Sequence, residues 1–148
     1  MAEMTKLKNK TQGNVSEAEW EVMRIVWTLG EVHTGEIIEQ LQIKKDWSES
    51  TIKTLMRRLV KKGLLRTRKE GRRFLYSATV SQSQMMIKVT TEMMNQMCDM
   101  HKGQLLIAIM KDVPLSKSDI ATLENELKAK EDTAPDEVDC NCLATGDC

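Results

Sequence analysis

The amino-acid sequence predicts a mainly α-helical fold. Three short helices and a β-hairpin are expected in residues 15–80, a second helical region in 81–130, and a disordered cysteine-bearing tail in 131–148. Three observations carry that expectation. Apolar residues recur at helical spacing in three segments between Ser16 and Gly63. The period then changes to two short runs rich in Leu, Thr, Phe and Tyr. Helical periodicity returns after residue 81 and stops after Lys130.

Residues 1–14 have no apolar periodicity and read as a flexible arm. Met1 to Thr11 is polar and lysine-bearing, so a secretory leader is not expected. Ser16 with Glu19 forms an S-x-x-E capping box, which satisfies orphan N–H groups at a helix start. Val22, Ile25, Val26 and Leu29 follow on one face, widened by Trp20, Met23 and Trp27, and Gly30 is the expected stop. Thr34 is the expected cap of a short second helix burying Ile37, Ile38 and Leu41. His33, just before it, reads as an exposed loop residue. Ser48 opens a third helix with Ile52, Leu55, Met56, Leu59 and Val60 inward, and Gly63 ends it. Leu64–Lys69 and Arg73–Ala78 are the two predicted strands, joined by a turn at Glu70-Gly71-Arg72.

Three helices and a hairpin make the winged helix-turn-helix arrangement, whose third helix is sized to enter a major groove. The charge pattern fits that placement. The 22 basic and 22 acidic residues of the whole chain cancel, yet residues 1–80 hold 16 basic and 10 acidic side chains, and residues 81–148 hold 6 and 12. Ten Lys/Arg lie between Lys53 and Arg73, against one acid, Glu70. With the inward positions apolar, Ser50, Lys53, Thr54, Arg57, Arg58 and Lys61 fall on the opposite face, next to Ser48 and Thr51. Small hydroxyls beside cations suit a groove-facing helix. Thr34 joins them from the second helix. Arg72 and Arg73 at the hairpin tip would reach a flanking phosphate or the minor groove. The competing reading is a merely solvated charged face.

The second half opens on another capping signal, Ser81-x-x-Gln84, and a helical pattern to about His101. Met86, Met93, Met97 and Met100 share one face of it, either as thioether ligands for Cu(I) or as adaptable packing. Leu105 to Met110 reads as a buried helix broken by Pro114, and Ser116-x-x-Asp119 caps a last helix through Ile120, Leu123 and Leu127. This region is too thin to bury its apolar stripes alone, so a homodimer interface is expected.

The tail carries Cys140, Cys142 and Cys148 within nine residues. Structural disulfides are not expected in a reducing cytosol. A C-x-C pair instead brings two soft sulfur ligands together, suited to Cu(I) or Zn(II). Cys98 reads first as a buried structural thiol, and with His101 three residues on it also offers a helical Cys–His metal pair. No nucleophile–base pair, glycine-rich phosphate loop or supported carboxylate dyad stands out, so an enzyme is not expected. No apolar run is long enough to span a bilayer.

The segments Ser16-Glu-Ala-Glu-Trp-Glu-Val-Met-Arg-Ile-Val-Trp27, Trp47-Ser-Glu-Ser-Thr-Ile-Lys-Thr54, Arg58-Leu-Val-Lys-Lys-Gly63 and Lys69-Glu-Gly-Arg72 resemble the penicillinase-repressor (BlaI/MecI-like) family of bacterial regulators. With its terminal thiols the chain is similar to the copper-responsive, CopY-type branch. The resemblance implies a cytoplasmic homodimeric winged-helix repressor that holds double-stranded operator DNA in a zinc-bound form. It also implies release when Cu(I) displaces Zn(II) at the tail, with a copper chaperone as a candidate donor. The branch pattern is C-x-C-x4-C-x-C, whereas this chain has C-x-C-x5-C, one thiol fewer. Three thiolates suit trigonal Cu(I). Tetrahedral Zn(II) needs a fourth donor, for which water, Asp147, the terminal carboxylate, His101, Cys98 or a partner chain are the candidates. Two other readings stay open: a β-lactam-responsive repressor inactivated by proteolysis, and a small copper-buffering protein.

Overall fold

The computed structural model describes residues 14–146, so residues 1–13 of the expected arm at 1–14 and the candidates Asp147 and Cys148 lie outside the described residues. The chain divides into two units, Met1–Met86 and Ile87–Cys148.

The first unit runs α1 (Glu17–Leu29), β1 (Val32–His33), α2 (Thr34–Lys45), α3 (Glu49–Lys61), β2 (Leu65–Glu70) and β3 (Arg73–Ala78), and α4 (Gln82–Asn95) begins within it. Three helices followed by a hairpin are present as expected, and the fold is a winged helix. One face of each helix is apolar, and these faces meet. Val22, Met23 and Val26 of α1, Ile37 and Leu41 of α2, and Ile52, Met56 and Leu59 of α3 are each no more than 1% exposed. Each such side chain contributes roughly 1.5–3 kcal/mol on leaving water.

Three expected core positions are not in it, of which Ile38 is half-buried and two are exposed. Val60 is 37% exposed and Leu29 49%. Val60 lies about a quarter-turn around α3 from the inward row, and Leu29 is the last residue of α1.

Helix ends follow local chemistry. Ser48 Oγ accepts from Thr51 N at 3.2 Å to open α3. At the other end Gly63 takes φ +77°, a value most side chains resist. The Gly63 N–H then reaches Val60 O and the Leu64 N–H reaches Leu59 O, both at 3.0 Å, a Schellman closure. The chain is thereby turned into β2.

The hairpin pairs Leu65 with Ala78 through to Glu70 with Arg73, leaving Gly71 (φ +61°) and Arg72 as the loop. The two-residue β1, which the sequence reading lacked, completes an antiparallel sheet in the order β1-β3-β2. It pairs Val32 with Tyr76 and His33 with Leu75. His33 is thus a half-buried strand residue and the N-cap of α2 rather than an exposed loop residue, and Thr34 is the first helical residue rather than the cap. The His33 N–H donates to Glu36 Oε2 at 2.8 Å.

Ser16 makes half of its expected box, accepting from Glu19 N at 3.1 Å. The Glu19 carboxylate is committed elsewhere, to Lys62 at 2.6 Å. Trp27 Nε1 donates to Val80 O at 2.9 Å, tying α1 to the segment that leaves the wing.

The Ser81–Gln84 box is complete, with both bonds at 3.1 Å. The expected helix to His101 ends early, at Asn95. Met97 and Met100 therefore do not continue the α4 face carrying Met86 and Met93. A 3-10 turn, Asp99–His101, follows, with Cys98 in extended conformation as its cap. Then come α5 (Lys102–Asp112) and α6 (Lys117–Glu131), the latter opened by a full box between Ser116 and Asp119.

Neither α5 nor α6 contains a buried residue. Leu105–Met110 is helical but not enclosed, since Leu106, Ile107, Ile109 and Met110 are 45–56% exposed. The stretch after α6 has no helix or strand among the described residues. Asn141 Oδ1 accepts from Asp99 N at 2.9 Å, and Cys140 is only 9% exposed.

Candidate nucleic-acid interface and thiol site

Every residue predicted for the outer face of α3 is on it. Ser48, Ser50, Thr51, Lys53, Thr54, Arg57, Arg58 and Lys61 are all exposed, and Thr34 is half-buried at the start of α2. Their hydroxyls are locally tethered. Ser48 Oγ lies 2.8 Å from Thr51 Oγ1 and 3.2 Å from Ser50 Oγ, and Thr54 Oγ1 donates to Ser50 O at 2.9 Å. The face is consequently low in profile, with the long cations rising from it. A cleft of about 910 Å³ separates α3 from the wing and the start of α2. Its lining includes Lys53, Arg57, Arg72, Arg73 and Thr34, with Phe74 and Tyr76 as its aromatic part. Ser50, Thr51, Thr54 and Arg58 line a smaller depression of about 230 Å³.

The ten-cation run is not used as one block. Lys62 is turned inward to Glu19, Arg68 makes two bonds to Glu31 Oε1 at 2.8 and 3.0 Å, and Lys53 pairs with Glu49 one turn back. The Glu31 carboxylate holds the Arg68 guanidinium above its ordinary pKa. Arg57, Arg58, Lys61, Lys69, Arg72 and Arg73 make no ion pair among the described residues. They stand on α3 and the hairpin, where a polyanion running across both would meet them. The cleft also takes in residues the sequence reading did not place there, among them the acidic Glu36 and Glu39 and His33, whose buried Nδ1 has no hydrogen-bond partner among the described residues.

Behind this face Glu21, 8% exposed, gathers Lys44 at 2.6 Å, Arg24 at 3.4 Å and Lys45 at 3.6 Å. The Lys44 hydrogen bond holds its carboxyl below the ordinary glutamate range. The cluster joins α1 to the end of α2.

In the second unit the Sγ atoms of Cys98, Cys140 and Cys142 all lie within 4.8 Å of one another. Cys98 Sγ stands 3.7 Å from Cys140 Sγ, and the Cys142 N–H points at Cys140 Sγ from 3.4 Å. Cys98 and Cys142 are free thiols, whereas Cys140 is disulfide-bonded, contrary to the expectation of thiols throughout. Hydrogen bonding from Cys142, helped by nearby backbone N–H groups, lowers the Cys98 pKa, and the same interaction raises that of Cys142. His101 is exposed and does not belong to the group. Cys98 is half-buried rather than buried as expected, and its sulfur does belong to the group. No local signal could show this, because 42 residues separate it from Cys140. A set of three sulfurs with no carboxylate or imidazole among them fits a soft ion such as Cu(I), and Zn(II) as well.

An uncharacterized 16.5 kDa protein of Latilactobacillus sakei, encoded in the ptsI 3′ region, is 51% identical over 129 residues, 87% of this chain and 88% of that protein. The methicillin resistance regulatory protein MecI of Staphylococcus aureus (strain N315) is 36% identical over 124 residues, 84% of this chain and the whole of MecI. A solved CopR repressor structure is 49% identical, covering 47% of this chain and all of that one, with a TM-score of 0.40. The family described as Penicillinase repressor matches residues 15–129. The chain belongs to the penicillinase repressor family.

Proposed function

We propose that this chain is a transcriptional repressor that binds operator DNA as a homodimer and is released by Cu(I). The DNA-reading part rests on the exposed face of α3 and the arginines of the wing. Ser50, Thr54 and Arg58 would meet base edges in the major groove, because hydroxyls hold the backbone close and a guanidinium can pair bidentately with guanine. Arg57 and Lys61 on α3, and Arg72 and Arg73 on the wing, would neutralise phosphates on either side. The homodimer rests on α5 and α6, none of whose apolar side chains is buried among the described residues of one chain. Two copies would present two recognition helices about one DNA turn apart. A repressor of this kind works in the cytoplasm, and among the described residues no helix is long and apolar enough to cross a membrane.

The observation that carries the copper reading is the convergence of three cysteine sulfurs within 4.8 Å. A repressor inactivated by proteolysis has no use for such a group, and a copper buffer has no use for the face of α3. Cys140 and Cys142, with Cys148, would hold the incoming Cu(I). Zn(II), where bound, would supply a closed tetrahedral site suited to the DNA-bound form. The two ions ask for different arrangements of the same sulfurs, so operator affinity can be linked to which one is held.

The test is a mobility-shift titration on the promoter upstream of the chain's own gene, with Zn(II) and Cu(I) added in turn. Wild type should leave the DNA with Cu(I), and a Cys140→Ser, Cys142→Ser, Cys148→Ser triple variant should stay. Equal loss of DNA by both would remove the tail as sensor.

A further inference from the structure

We propose that Cys98 is a metal ligand in its own right, binding a thiophilic d10 ion together with Cys140 and Cys142. The inference rests on the copper reading for its biological sense, but the site can be tested without it. Cys98 lies outside the terminal cysteine motif, at the cap of the 3-10 turn that leads into α5. Its sulfur nevertheless faces the tail. Thiolates held about 2.3 Å from a shared Zn(II) stand roughly 3.8 Å apart at tetrahedral angles. The Cys98–Cys140 separation is 3.7 Å, and the third sulfur lies within 4.8 Å of both.

The approach is built rather than accidental. The Asp99 N–H donates to Asn141 Oδ1 at 2.9 Å, and the Cys142 N–H points at Cys140 Sγ, so the backbone on both sides is pinned at the sulfurs. Lys102 Nζ sits 2.5 Å from Asp99 Oδ1, which fixes the turn that presents Cys98. Cys98 thereby supplies the donor that the C-x-C-x5-C pattern lacks relative to four thiols.

Loading requires Cys140 in its thiol form. A low-molecular-weight dithiol would reduce the disulfide, giving up two electrons and two protons and becoming the disulfide itself while two protein thiols form. Each ligating thiol then releases its proton on binding the ion.

The consequence is topological. An ion held by Cys98 and Cys140 closes a 42-residue separation that contains all of α5 and α6. Occupancy would therefore act on the helices that expose the apolar faces, and not on a detached tail.

The experiment uses the full chain, reduced with dithiothreitol, desalted under nitrogen and titrated with Co(II) and, separately, Cu(I). Cys98→Ser should lose a quarter to a third of the sulfur-to-cobalt charge-transfer absorbance and bind Co(II) at least tenfold more weakly. Cys98→His should regain most of the affinity while keeping the lower absorbance. It also serves as the deciding variant where Cys98→Ser has lost its helical far-UV signal. Wild-type absorbance and affinity in both variants would overturn the proposal. If that happens while Cu(I) still frees operator DNA, the sensing reading stands and Cys98 is not a ligand. If Cys98→Ser loses absorbance but Cu(I) never frees the wild type from DNA, Cys98 is a ligand and the sensing reading falls.

Discussion

The ammonium of Lys62 lies 2.6 Å from the carboxylate of Glu19, which is only 3% exposed. The pair locks the first turn of α1 to the end of α3, 43 residues away. Removing Glu19 leaves the part-buried Lys62 ammonium, 23% exposed, without a counter-charge and with the Asn14 carbonyl oxygen at 2.7 Å as its remaining partner. Glu19→Ala should therefore cost about 2 kcal/mol and lower the melting temperature by roughly 5 °C. Glu31→Ala breaks the Arg68 pair, whose partners are 58% and 48% exposed. It should cost less than about 0.5 kcal/mol. Thermal unfolding of both variants by circular dichroism checks the contrast, and equal losses would contradict it.

Glu21 makes acid sensitivity predictable. Its folded carboxyl has a lowered pKa because Lys44 hydrogen-bonds the charged form. The unfolded chain therefore takes up the proton first as pH falls. The stability Glu21 contributes is full above the ordinary value of 4.5 and is lost as pH drops through the lower folded value. Glu21→Gln should be less stable than wild type at neutral pH, and the gap should narrow below about pH 4.5. Urea unfolding midpoints between pH 3 and 7 measure it.

The face of α3 and the wing should fail differently on DNA. Arg58→Ala or Thr54→Ala should relax sequence preference, at about 1–3 kcal/mol per lost base contact. Arg72→Ala should weaken specific and random duplexes alike and reduce the salt slope by about one. Binding isotherms at several salt concentrations separate the two. An unchanged slope for Arg72→Ala would take it out of the phosphate contacts.

Leu123 of α6 is 41% exposed although its neighbours on that stripe, Ile120 and Leu127, are apolar too. If two chains cover this stripe, Leu123→Glu places a charge in the interface. The dimer dissociation constant should rise at least tenfold, about 1.4 kcal/mol, and operator affinity should fall with it. Sedimentation equilibrium of both proteins measures the first effect.

Most helices and the hairpin were legible because their signals are short-range. Ser48 meets Thr51, Ser81 meets Gln84 and Ser116 meets Asp119 within one turn, and Gly63 and Gly71 occupy positive-φ positions that favour glycine. The outer face of α3 was legible for the same reason, since a 3.6-residue period assigns each side chain a direction. The α4 boundary was misjudged because methionine spacing continues past Asn95 while the backbone does not.

The amino-acid order alone was enough to assign the winged helix, its charged face and the presence of soft ligands in the tail. Tertiary structure decided which residues those features act through. It turned Lys62 and Arg68 away from the basic run toward Glu19 and Glu31, added β1 beside β3, and brought Cys98 to Cys140. The reason is physical. Caps and periodicity are set by neighbours within four residues, whereas these pairings join groups 37 to 44 residues apart. Only the packing of whole elements selects partners at that distance, and it leaves no trace in local spacing.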